Sequence, residues 1–157
     1  MHKLAKLKQM TRTERRLLLQ AWLLLPVVRI LLWLTGYRRT LANLQRLLSL
    51  NANADLAATA NRERQQQAAT LGRLVNMAAN HSLFEFNCLP RSLVLWWMLR
   101  RVGLAADLRI GVQKEAHVFE AHAWVEYAGV PVSDKSSDRY VPILSSFAPV
   151  LPTSFPS

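Results

Sequence analysis

The hydrophobic period of this 157-residue chain changes at Gly103, and that change limits the possible folds more than any other feature. Before Gly103, apolar residues recur every three or four positions, which is typical of helices that bury one face. After it, segments 107–113 and 118–127 alternate in polarity, which is typical of half-buried strands. A run of helices followed by a run of strands predicts an α+β fold with an antiparallel sheet.

A tight turn is predicted at Ala128-Gly129, where glycine supplies the positive φ that a two-residue hairpin loop requires. The chain is then expected to return as a third strand over 130–134. Counting back from a two-residue loop places Ala123 opposite Asp134, so this hairpin brings the two strands into a defined register.

Residues 17–34 form an apolar run that Gln20, Pro26 and Arg29 interrupt. A charge at the centre of a membrane span costs roughly 2.5–3.5 kcal/mol on insertion scales, so we interpret the run as a mostly buried helix, kinked at Pro26. The alternative is peripheral membrane contact, which the two tryptophans of the run and the flanking arginines would suit. A secretory signal fits poorly, because Arg29 breaks the apolar region and no cleavage pattern follows.

The length allows one compact domain with an extension. Residues 1–50 are expected to form basic, apolar helices, and residues 51–67 a polar linker or a solvated helix. Residues 68–144 are expected to form the core, and residues 145–157, rich in Ser and Pro, a tail. Within the core, 140–144 is expected as a short edge strand, because its proline cannot donate a ladder hydrogen bond.

The formal net charge of +10 is concentrated in the N-terminal third, where residues 1–50 carry ten Lys or Arg and one acid, Glu14. Such a region suits an acidic protein, an anionic membrane surface or nucleic acid, and is equally compatible with a solvated helical face. Nucleic acid is not expected, because no recognition motif with interleaved aromatic residues is present. A single cysteine excludes an internal disulfide and a Cys-rich zinc site, and it fits a reducing cytoplasm.

Cys88 is the only cysteine and the strongest candidate for chemistry. It lies just before Pro90, and proline is favoured in the first turn of a helix, so Cys88 is expected at a helix N-terminus. The unpaired N–H groups and the helix dipole there favour the thiolate, which is the nucleophilic form. The simpler interpretation is a small buried apolar side chain. Along the same helix, Leu93, Trp96 and Leu99 share a face that is expected to join the core.

A nucleophilic cysteine needs a base and a group that orients the base. Of the four histidines, His122 lies within a predicted strand between two alanines, where it would be held rigidly. Asp134 would lie diagonal to His122 on the returning strand and could fix the imidazole tautomer. Asp138 is the rival acid. A hydrogen-bonded core histidine and an exposed turn aspartate are the simpler alternatives for His122 and Asp134.

Four sequence blocks resemble a known family. They are Cys-Leu-Pro-Arg-Ser from position 88, Met-Leu-Arg-Arg-Val-Gly-Leu from 98, Leu-Arg-Ile-Gly-Val from 108 and Phe-Glu-Ala-His-Ala-Trp-Val-Glu from 119. The order of Cys, His and Asp resembles the transglutaminase-like, papain-related cysteine peptidases. Residues 84–144 are similar to the B2 proteins of lasso peptide biosynthesis, which are leader peptidases. The Ala-His-Ala-Trp-Val-Glu segment is the most specific part of the resemblance.

The resemblance implies a transglutaminase-like core in which a central Cys-bearing helix packs on a small antiparallel sheet. It implies that Cys88, His122 and Asp134 form the catalytic triad of a cysteine peptidase that removes the leader from a ribosomally made lasso peptide precursor.

The implied partners are that precursor, a separate leader-recognition protein (B1) and the ATP-dependent macrolactam cyclase. No cofactor or metal is implied, and no P-loop is present. The implied location is the cytoplasm, where the N-terminal helices could also associate with the membrane. The competing function is a non-catalytic scaffold or membrane-associated adaptor that uses these basic, apolar helices.

Overall fold

The computed structural model describes residues 10–50, 62–82, 85–115, 118–132 and 139–145. The helices and strands, in chain order, are α1 (Arg12–Leu50), α2 (Arg62–Asn80), α3 (Cys88–Arg101), β1 (Ala106–Glu115), β2 (Val118–Tyr127), β3 (Val130–Pro131) and β4 (Val141–Ser145). All described helices precede the described strands, which confirms the predicted α+β class. Residues 62–67, placed in the linker or solvated helix by the sequence, are the first residues of α2.

The long helix α1 bends at Gly36, whose φ of 75° and ψ of 173° lie outside the helical region. The hydroxyl of Thr40 donates to the Gly36 carbonyl at 2.8 Å, and the hydroxyl of Thr35 donates to the Leu31 carbonyl at the same distance. The sequence predicts a kink at Pro26, and the φ and ψ angles that lie outside the helical region are those of Gly36, ten residues later. Pro26 lies within α1, and the helical backbone is lost where a glycine can adopt positive φ.

A capping box starts α1. The Thr11 backbone N–H donates to the Glu14 carboxylate at 2.9 Å, and the Glu14 N–H donates to the Thr11 hydroxyl at 3.2 Å. These hydrogen bonds from Thr11 hold the pKa of Glu14 below its ordinary value. Glu14 also forms an ion pair with Arg73 of α2, at 3.3 Å, so the first turn of α1 is connected to the neighbouring helix.

Helix α3 is the centre of the molecule. Leu93, Trp96 and Leu99 are almost completely buried, which confirms the predicted core face, and its other sides are also largely covered. The core residues contributed by the elements around it include Ala21, Leu25, Val28, Leu71, Val75, Ala78, Ala106, Leu108, Val125 and Tyr127. Both α1 and α2 therefore pack on α3, which in turn packs on the sheet.

The sheet is antiparallel with the strand order β3-β2-β1-β4. In the β2–β3 turn, Ala128 and Gly129 have φ values of 52° and 76°, the positive pair that a type I′ turn needs. The Val132 N–H donates to the Val125 carbonyl at 2.9 Å, so the predicted hairpin register holds as far as it is described. β3 is shorter than predicted, and residues 133–138 lie outside the described residues.

Gly111 of β1 lies where two other elements approach the strand closely. A Cβ atom at this position would lie 2.7 Å from the Val141 carbonyl oxygen of β4 and 2.8 Å from Cη2 of Trp124. Gly111 is also the cross-strand partner of His122. The missing side chain therefore lets the edge strand and the Trp124 ring pack onto the same strand position.

Replacement of Gly111 by Ala is expected to destabilise the protein by about 1–3 kcal/mol, because the added methyl must displace either backbone or an indole ring. Chemical denaturation measures the difference. Gln113→Ala, on the same strand and face, is the matched control and is expected to change stability by less than about 0.5 kcal/mol. Equal stability of Gly111→Ala and the wild type would contradict the close packing.

Candidate active site

Cys88 occupies the first position of α3. Asn87 precedes it as the N-cap residue with extended backbone, and the Asn87 side chain makes no capping hydrogen bond. Pro90, in the first turn, has no N–H to satisfy. The first-turn N–H groups of Cys88 and Leu89 are therefore not capped by Asn87, and the half-buried thiol lies beside them.

Two arginines hold the loop that leads into Cys88. The guanidinium of Arg29, from α1, donates to the Glu85 carbonyl and lies 5.8 Å from the centre of the Phe86 ring. Arg91 Nε donates to the Phe86 carbonyl at 2.8 Å. The backbone just before the cysteine is thus fixed from both sides by charged donors.

Arg29 was seen in the sequence only as an interruption of an apolar helix. Its polar end instead reaches the loop before Cys88, which lies 56 residues further along the chain. A charged residue inside an apolar run must reach solvent or a polar partner, and Arg29, which is exposed, does both. The sequence does not say which loop supplies the partner.

His122 lies in the middle of β2 on the sheet face that it shares with Trp124, as the alternation predicts. Its ring stacks with the Tyr140 ring at a centroid distance of 4.7 Å and with the Trp124 ring at 6.2 Å. The cross-strand neighbour is Gly111, which has no side chain to compete for this space. The imidazole is therefore positioned by two aromatic rings and by a rigid strand.

Cys88 and His122 line the same cleft, which has a volume of about 340 Å³. A buried hydrogen bond connects the two elements that carry them. The Ser92 hydroxyl, one turn after the cysteine, donates at 2.8 Å to the carbonyl of Ala123, the residue that follows His122. The positions of the thiol and the imidazole are thus coupled through one short contact between α3 and β2.

The structure describes only one of the other acid and histidine candidates. Asp134 and its rival Asp138 lie outside the described residues, as do His2 and His117, so the third member of the triad stays a prediction. His81, which is described, lines a neighbouring cavity of about 460 Å³ and not the cleft that contains Cys88. Of the two described histidines, His122 is the one that lines that cleft. Within the described ranges, no group of three or more His, Cys, Asp or Glu residues could hold a metal ion.

Two asparagines of α2, Asn76 and Asn80, line the cleft and were missed in the sequence. Asn80 Oδ1 accepts a hydrogen bond from Arg91 Nη1 at 3.1 Å. Because the carbonyl oxygen of the Asn80 side chain accepts from Arg91, the NH₂ group of the same amide is the end that can donate a hydrogen bond within the cleft. An amide donor beside a helix N-terminus is suited to an oxyanion that forms near Cys88. Nothing in the local sequence distinguishes Asn80 from an ordinary turn residue.

A polar network on the outer face of the sheet supports Trp124. Its indole N–H donates to Glu126 Oε1 at 2.9 Å, and Arg109 Nε lies 3.1 Å from Glu126 Oε2 and 3.0 Å from Asp107 Oδ2. The Ser145 hydroxyl of β4 reaches Asp107 at 2.8 Å. The network spans three strands and fixes the indole that packs beside His122.

A model of the Transglutaminase-like superfamily matches residues 31–145, which include Cys88, His122 and the four described strands. The chain belongs to this superfamily, which includes cysteine peptidases and transglutaminases. No curated protein and no solved structure matches the chain significantly. The superfamily thus agrees with the fold, and the catalytic role of Cys88 stays a prediction.

Ser92→Ala is expected to lower stability by about 1–3 kcal/mol, because it leaves the buried Ala123 carbonyl without its donor. Chemical denaturation measures the loss. Thr70→Ala is the control, since the Thr70 hydroxyl donates to a carbonyl at a similar distance but on the exposed surface of α2. If the two variants lose the same stability, the contact between α3 and β2 is not a significant tether.

Arg29→Met is expected to loosen the loop before Cys88, because both the hydrogen bond to Glu85 and the contact with Phe86 are lost. Hydrogen exchange at residues 85–88 should become several-fold faster, for a local loss on the order of 1 kcal/mol. Arg46→Met, at an exposed position of α1, is the control and should leave that exchange unchanged. Unchanged exchange in both variants would contradict the role of Arg29.

Proposed function

We propose that this protein is a cysteine peptidase that removes the leader from a ribosomally made lasso peptide precursor. The observation that carries the proposal is the placement of Cys88, at the start of the central helix, and His122, on the adjacent strand, in one cleft of a transglutaminase-like fold. The sequence blocks around these two residues support the narrower choice of a leader peptidase.

In the proposed reaction, His122 takes the proton of the Cys88 thiol, and the thiolate attacks the carbonyl at the leader–core junction. The tetrahedral intermediate collapses as His122 returns the proton to the amine of the core, which leaves with a free N-terminus. The leader remains as a thioester on Cys88. A water molecule, activated by His122, then hydrolyses the thioester and releases the leader with a free carboxylate.

The oxyanion of each tetrahedral intermediate needs donors that are already in place. The backbone N–H of Cys88, at the uncapped helix start, is one candidate donor. The side-chain NH₂ of Asn80 is the second, because Arg91 holds the opposite end of that amide. The aromatic rings of Tyr140 and Trp124 would keep the imidazole in place through both half-reactions.

Asp134 is proposed as the acid that orients His122 and stabilises the imidazolium. This assignment rests on the family resemblance and on the predicted hairpin register, and the described part of the hairpin agrees with that register up to Val132. Asp138 remains the alternative acid.

The proposed partners are the precursor peptide, a separate leader-recognition protein that presents the leader in trans, and the cyclase. The cyclase would use the amine that this reaction frees, so cleavage would precede ring closure. No proposed step needs a nucleotide or a metal, and any ATP requirement would fall on the cyclase.

Mass spectrometry of precursor incubated with this protein and the recognition protein tests the proposal. The expected products are a leader with a free carboxylate and a core with a free amine. Cys88→Ala should abolish cleavage, and His122→Ala should slow it by roughly 10²–10⁴-fold. His81→Ala is the matched control, because His81 is the described histidine outside the cleft, and it should cleave normally.

Asp134→Asn and Asp138→Asn, compared in the same assay, distinguish the two acids, since only the orienting residue should cause a large loss. Intact precursor with the wild type, or normal cleavage with Cys88→Ala, would overturn the proposal. A leader product joined to an added amine would instead indicate the transferase chemistry that also occurs in the superfamily.

A further inference from the structure

Helix α1 has two apolar faces, and one of them has no cover among the described residues. Ala21, Leu25 and Val28 are at most 1% exposed and face the core. The opposite face carries Leu19, Leu23, Val27, Ile30 and Leu34, which are 50–63% exposed. We call these five residues the outer stripe. Their spacing of three and four positions places them along one line of the helix.

Two tryptophans lie beside the outer stripe. Trp22 is 43% exposed, and Trp33, at 84%, is the most exposed large apolar side chain among the described residues. An indole ring has an apolar body and a polar N–H, so it is favoured where an apolar phase meets water. These two rings, three turns apart on the helix, would suit such a boundary along the length of the stripe.

At the N-terminal end of α1, the charged side chains on and beside the outer stripe are all basic. At 100° per residue, Arg12 and Arg16 project into the same sector as the outer stripe, and Arg15 projects beside it, on the side of Trp22 and Trp33; all three arginines are exposed. Glu14, the single acid of residues 1–50, falls in the opposite sector, where it contacts Thr11 and Arg73. Past the bend, Arg38 and Arg39 are also exposed. The stripe thus has cations near both ends.

We propose that α1 docks with its outer stripe lying flat on an anionic membrane surface. The apolar side chains would enter the boundary between headgroups and acyl chains, the tryptophans would anchor at that boundary, and the arginines would contact lipid phosphates. Charge complementarity favours this partner, since an apolar stripe with arginines at both ends matches a surface that is apolar beneath and negative above.

The helix lies on the membrane and does not cross it. By length and composition, Arg12–Leu48 could span a bilayer, but the core helix of a soluble protein passes the same test. Crossing would remove Leu25 and Val28 from the core and separate Arg29 from the loop at Glu85 and Phe86. The inner face is therefore committed to the fold, and only the outer stripe is available to lipid. This proposal does not depend on the peptidase activity.

Vesicle flotation of the whole 157-residue chain tests the docking. The wild type is expected to float with vesicles of phosphatidylglycerol and phosphatidylcholine, to bind pure phosphatidylcholine vesicles more weakly, and to lose affinity as salt is raised. The double variant Ile30→Gln/Trp33→Gln should weaken binding by at least about tenfold, because it removes two apolar insertions. Arg12→Gln/Arg16→Gln should weaken it by roughly fivefold per charge on anionic vesicles only.

The matched controls carry the same changes away from the stripe. Val102→Gln replaces an exposed apolar side chain after α3, and Arg62→Gln removes an exposed charge from α2; both should bind as the wild type. Circular dichroism and thermal unfolding confirm that each variant is folded, which is expected because the substituted side chains point outward.

The proposal is overturned if the folded wild type fails to float, if the stripe variants bind as tightly as the wild type, or if binding is equal on neutral and anionic vesicles. Light scattering measures whether the protein forms dimers in solution. If the protein does not float but forms dimers that the stripe variants abolish, the membrane proposal is overturned and the outer stripe is a dimer interface.

Discussion

The contact between the start of α3 and the middle of β2 determines the geometry of the candidate site. Because Ser92 donates to the Ala123 carbonyl, the helix turn after Cys88 and the strand position after His122 are fixed relative to each other. The contact is buried and lies next to Leu93, which is completely buried. A small displacement of either element would break a buried hydrogen bond and open the core at the same time, so the position of the thiol relative to the imidazole follows from packing.

A second layer of contacts holds Cys88 and His122 from outside the core. On the strand side, Trp124 fits over Gly111 and its indole N–H is held by Glu126, so the ring beside His122 cannot easily turn. On the helix side, Arg29 and Arg91 hold the carbonyls of the loop before Cys88. These supports are charged or hydrogen-bonded contacts around an apolar centre, which is the arrangement that keeps a catalytic geometry within narrow limits.

The elements, and the positions of Cys88 and His122 on them, could be predicted from local sequence. Cys88 begins α3 because Pro90 and the following helix formers act over one turn, and the β2–β3 register follows from a two-residue loop. Long-range contacts could not be predicted in this way. The partners of Arg29 and the donor end of Asn80 depend on packing between distant segments. The assignment of Asp134 as the third catalytic residue remains a prediction.

The same limit explains why the two faces of α1 could not be separated in the sequence. A helix that is apolar on nearly all sides carries no periodic signal for its core side, so Leu25 and Ile30 look equivalent until the packing assigns one to the core and the other to the surface. Such a surface is unfavourable in water unless a partner covers it. Its inner face meanwhile supplies Arg29 to the loop before Cys88. One helix therefore contacts the candidate site on one side and presents an apolar, basic surface on the other, so any partner of that surface would lie one helix diameter from the loop before Cys88.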